Sequence, residues 1–157
     1  MLPKKLSAAK GFTLIEILVV IGILAILLTI VLVAINPAKN TQDARNIKRR
    51  SDVLNILNAV NQYYVAVGSF PTGTPADGDP AVDVKSAVGG TLTAFCSALV
   101  TTYIAELPFD PSTGSYTSCT TYDTHYTIEQ TAAGRIKISA PDTELNDTTT
   151  AIISVTR

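Results

Sequence analysis

Twenty-four consecutive residues, Phe12 to Ile35, are apolar or small except for two threonines and one glutamate. A helix over this run is about 36 Å long, enough to cross the hydrocarbon core of a bilayer with some tilt. The run is too long for an ordinary signal-peptide core, and no A-x-A cleavage site follows it. Composition alone therefore predicts a signal anchor. The 157 residues leave room for one modest domain beyond it; the chain is 46% apolar, and the excess over an ordinary soluble sequence is concentrated in this run.

Glu16 sits five residues into the run. A carboxylate at that depth is costly unless it reaches the interface, is protonated or is paired. It either lies near enough to the end to reach headgroups or has a dedicated cationic partner.

The surrounding residues favour the second reading. Lys10-Gly11-Phe12-Thr13-Leu14-Ile15-Glu16 resembles the processing signature of type IV prepilins and pseudopilins: a short basic leader ending in Gly, then Phe-Thr-Leu-Ile-Glu, then an apolar helix. The resemblance covers the first 67 residues well and the remainder only in general architecture. It implies that a prepilin peptidase cuts between Gly11 and Phe12 on the cytoplasmic side and methylates the new Phe12 amine. It further implies that Glu16 pairs with that amine on an adjacent subunit during assembly. The implied partners are other copies or related subunits in a filament, the inner-membrane assembly platform with its ATPase machinery, and membrane lipids. Nucleic acid enters only through what the filament does. The implied location is the cytoplasmic membrane for the single-pass precursor, with an extracytoplasmic head, and the cell surface for the filament. Counting basic residues alone puts more of them after the run than before it. The orientation therefore rests on the resemblance.

The chain divides into four parts: a leader over 1–11, an apolar membrane or filament-core helix over 12–36, an amphipathic stalk helix over 37–67, and a globular head over 68–157. Asn36-Pro37 predicts a kink or short break, because proline lacks an N–H and disfavours helix at the preceding residue. From Ala38 to Val67 the pattern is helical. Ile47, Leu54, Leu57, Val60 or Asn61, and Tyr64 form one apolar face, widened by Val53, Ile56, Tyr63 and Val67. Asn55, Asn58, Gln62 and the earlier basic residues form the other face. Gly68 is placed to cap the helix, with Pro71 just beyond. Uninterrupted helix from Phe12 to Val67 would run about 84 Å, more than so small a domain can bury.

Charge is partitioned. Residues 38–67 carry five basic and two acidic groups; residues 68–157 carry four basic and ten acidic ones. Lys48-Arg49-Arg50 reads as a solvated face, as a nucleic-acid or lipid patch, or as a contact to the acidic head of a neighbour. The last is preferred.

Residues 69–91 read as a surface loop. Asp77, Asp79 and Asp83 within it have a spacing reminiscent of a calcium loop, but no glutamate completes that pattern, and a solvated turn is the simpler reading. Residues 92–107 predict a short helix with Leu92, Phe95, Leu99 and Ile104 partly in register. Leu107-Pro108-Phe109-Asp110-Pro111 is a rigid extended turn of a kind found in pilin-like heads. Tyr122–Gln130 and Arg135–Ala140 predict a hairpin, and Ala151–Thr156 a final strand. The expected fold is α+β, a long N-terminal helix packed on a small sheet of three or four antiparallel strands. Cys96 and Cys119 would form a bridge in an oxidising compartment, closing a loop of about 24 residues worth roughly 3 kcal/mol. In the cytosol they would be two buried thiols.

No nucleophile elbow, phosphate loop or metal-ligand spacing is present, and the single histidine, His125, lies in a predicted strand where a structural role is expected. No enzymatic activity, cofactor or metal is expected. The leading expectation is a structural subunit of a type IV pilus serving adhesion, twitching motility or DNA uptake. The alternatives are a pseudopilin of a type II secretion system and an uncleaved membrane-anchored ectodomain.

Overall fold

The computed structural model describes residues 11–86, 92–144 and 151–157. The leader expected over 1–11 lies outside these apart from Gly11, and so does part of each head loop. The chain forms two compact units, Met1–Asn40 and Thr41–Arg157.

The first unit is built on α1, Leu14–Ile35, in which no residue is buried. Thr13 caps it through a reciprocal box in which its hydroxyl accepts from the Glu16 N–H at 3.3 Å. The Glu16 carboxylate in turn accepts from the Thr13 N–H at 2.7 Å. The expected interruption falls at Asn36, which adopts the left-handed conformation with φ 45° and ψ 73°. Asn36 serves both helices. It ends α1, and its side-chain oxygen accepts from the Lys39 N–H at the start of α2, Pro37–Val67. Proline occupies the first turn of α2, where its missing N–H costs nothing.

The second unit contains α2 from Thr41 onward, the short helix α3 (Leu92–Leu99) and five antiparallel strands: β1 (Val82–Lys85), β2 (Ser115–Ser118), β3 (Thr121–Gln130), β4 (Ile136–Ala140) and β5 (Ile153–Thr156). The order across the sheet is β1-β3-β4-β5, with β2 also pairing β3. The hairpin and the final strand stand where alternation places them. β1 does not: it lies inside the stretch read as surface loop, and it pairs Val82 with Ile128 and Asp83 with Thr127. The expected helix over 92–107 ends at Leu99, and the chain from Val100 runs irregularly to β2.

One face of the sheet alternates inward as Tyr122, Thr124, Tyr126 and Ile128 on β3 and as Ile136, Ile138 and Ala140 on β4. All but Thr124, whose hydroxyl donates to the Val84 carbonyl, share a single core with Val53, Ile56, Leu57 and Val60 of α2 and with Phe95, Cys96 and Leu99 of α3. The amphipathic stalk and the α+β architecture are as expected, but the buried stripe is rotated. Ile47, Leu54, Tyr64 and Val67, assigned to the buried face, are exposed; Arg49, assigned to the opposite face, is buried, together with Asn46 and Asp52. The cause is polar pairing with the head, which hydropathy does not register. Gly68 closes α2 with φ 82°, its N–H donating to the Tyr64 carbonyl at 2.8 Å.

Candidate functional site

The start of α1 concentrates the residues with the strongest functional signal. Gly11 and Phe12 lie outside the helix and exposed ahead of the cap, and Phe12 is 84% accessible. Glu16 is one helical turn beyond Thr13 and uses a single oxygen, Oε2, for both of its bonds there: to the Thr13 N–H and to the Thr13 hydroxyl, each at 2.7 Å. Oε1 accepts no hydrogen bond from the described residues, so half of the carboxylate is available to a cation. The Thr13 bonds satisfy a backbone donor that would otherwise be orphaned at the helix start, and they hold the carboxylate at the amino end of the helix, where the dipole favours negative charge. The groups named from the sequence, Gly11, Phe12 and Glu16, thus lie together at one end of an apolar helix.

A second polar cluster ties α2 to the head. The Arg49 guanidinium, fully buried, donates to Asp110 through Nε at 2.6 Å and through Nη2 at 3.0 Å. Asp110 also accepts from the Ser112 N–H at 2.8 Å and the Ser112 hydroxyl at 2.5 Å. Burial alone would raise the Asp110 carboxyl; the bonds from Arg49 and Ser112 outweigh it and hold the group well below its ordinary 3.8. Arg45 forks onto Glu144 and lowers that carboxyl as well. Lys48 pairs with Asp52 at 2.6 Å, and Asp52 accepts from the Tyr126 hydroxyl at 2.8 Å. The basic residues Arg45, Lys48 and Arg49 are therefore consumed within the chain. The expectation that the whole Lys48-Arg49-Arg50 run meets a neighbour is corrected for its first two members; among the described residues Arg50 alone of the three has no ion pair. The sequence signal for Asp110 is its Asp-Pro-Ser turn; what it meets, 61 positions away on α2, is not visible locally.

Cys96 and Cys119 are disulfide-bonded, linking α3 to the turn between β2 and β3. His125 lies in β3 with φ 56°, at a bulge where β3 outruns β1 between Asp123 and Thr127. Its Nδ1 is 3.0 Å from Asp142 Oδ2. Asp83 pairs with Lys85, Asp79 accepts from the Ala76 N–H, and no cluster of three metal-ligating side chains occurs among the described residues.

Residues 6–32 match the family model described as the prokaryotic N-terminal methylation motif. That motif is the class III signal of type IV pilins and pseudopilins, and the match is confined to this N-terminal segment. Comparison with curated proteins and with solved structures finds no match.

Proposed function

We propose that the chain is the structural subunit of a type IV pilus. It is stored in the cytoplasmic membrane with its head extracytoplasmic, cut by a prepilin peptidase between Gly11 and Phe12, and drawn into a helical surface filament. The observation that supports this reading most is Glu16: a carboxylate at the head of an uncovered apolar helix, with one oxygen held by Thr13 and the other without a hydrogen bond among the described residues. Cleavage after Gly11 puts a positive amine at Phe12, and helices packed side by side bring that amine to the second oxygen on the next copy. A charge moved from the membrane edge into an apolar core is tolerated only when paired, so the pair favours one axial register over others. The side chains of α1 lose little when lipid is replaced by like-faced helices, so packing and this pairing drive association.

Filament recovery from a Glu16→Gln variant tests the reading. The variant should still be cut and inserted, while sheared surface filaments seen by electron microscopy fall about 100-fold or more, the scale of an unpaired buried charge. Wild-type filament yield from Glu16→Gln would defeat the proposal.

A further inference from the structure

The head carries opposite charges at its two sheet edges, and the fold keeps them apart. At one edge, Arg50 is exposed and has no partner among the described residues, whereas its basic neighbours are satisfied internally. It lines a groove of about 660 Å³ between α2 and β5, together with Leu54 and Ile152. Those two side chains are 44% and 55% exposed. Among the described residues β5 pairs only with β4. Arg157 exchanges two backbone hydrogen bonds with Ile136, so Ser154 and Thr156, at the alternate positions, turn their backbone groups outward.

At the other edge, Asp77 and Asp79 stand exposed on either side of Gly78. The Gly78 N–H donates to the Gln130 carbonyl at 3.3 Å, which fixes the loop against the end of β3. One transverse row runs from Asp77 to Gln130, then Ile136, then Arg157. Three strand spacings, about 14 Å, separate its ends. The acidic loop therefore cannot reach the groove of its own chain.

We propose that the α2–β5 groove of one copy receives the Ala76–Pro80 loop of a second copy, with the loop carboxylates meeting Arg50 and its small apolar residues covering Leu54 and Ile152. This rests on the filament reading and specifies the head contact within it. The contact joins two different surfaces, so every copy offers one of each and the association propagates instead of closing into a pair.

The test uses the full chain in its native cell. A variant carrying both Ala76→Cys and Ile152→Cys is oxidised in sheared filaments; the native thiols are already bonded to each other. A ladder of covalent multimers is expected, with monomer only from either single variant. Filaments without a ladder overturn the contact and leave the filament reading standing, as does a dimer from one single variant. An unaltered chain that makes no filaments overturns both. Independently, Arg50→Glu should lower filament yield about ten-fold or more, and so should Asp77→Lys with Asp79→Lys. All three changes together should restore it. A combined variant that stays as poor as its parents overturns the contact.

Discussion

Replacing Asp110 by alanine should unfold the head more readily than any other single charge removal in the chain. Both partners of the Arg49–Asp110 pair have fully buried side chains, and the two bonds between them measure 2.6 and 3.0 Å. Truncating the acid leaves a buried guanidinium with only the neutral acceptors of Asn46 and Ser112 and a longer 3.6 Å approach to Glu144. Breaking a buried pair in this way costs about 3–5 kcal/mol. For a unit of this size that corresponds to a fall of about 10–20 °C in Tm, or a midpoint lower by about 2 M in urea. The assay is urea and thermal unfolding of the full chain in detergent, followed by near-ultraviolet circular dichroism of the core tyrosines.

The same pair sets an acid limit. The Asp110 carboxyl lies well below 3.8 in the folded chain, so the folded state binds the proton less readily than the unfolded one. Its contribution is complete above that ordinary value and is lost as the pH falls toward the native one. Asp110→Ala should therefore flatten the decline in stability below pH 4. Arg49→Met combined with Asp110→Leu should recover most of the loss, because an apolar pair of similar bulk leaves no charge behind. A loss under about 1 kcal/mol in Asp110→Ala, or an unchanged acid slope, would refute the reasoning.

Two further outcomes follow from the head. In Gly114→Ala the new Cβ would lie 2.5 Å from the Asp110 backbone nitrogen, so the turn holding Asp110 must shift; urea melts should show a loss of about 2 kcal/mol or more. Reducing the Cys96–Cys119 bond with dithiothreitol should cost about 3 kcal/mol, read as a lower Tm with unchanged far-ultraviolet signal at 20 °C.

What could be read from the residues follows the range of the forces involved. The apolar run and the break at Asn36-Pro37 are set by neighbours within four positions, and the structure has them where expected; the Thr13–Glu16 box is equally local but was not read from the residues. β3 and β4 show the two-residue alternation of a half-buried sheet and are legible for that reason. β1 was hidden because Val82–Lys85 is a short strand embedded in Pro, Gly and Asp residues, and its partner lies about 45 positions away. The stalk stripe was misread for a related cause. Arg49, Asn46 and Asp52 look solvent-facing until Asp110, Glu144 and Tyr126 fold onto them. At the candidate site, the placing of Gly11, Phe12 and Glu16 together at the start of the apolar helix was legible, but the division of the Thr13 bonds between the two Glu16 oxygens was not.

The most direct test of the account is the N-terminus of the protein recovered from its native cell, read by sequencing and intact mass. The account predicts a chain beginning at N-methylated Phe12. A chain that still begins at Met1, with Gly11 joined to Phe12, would contradict it.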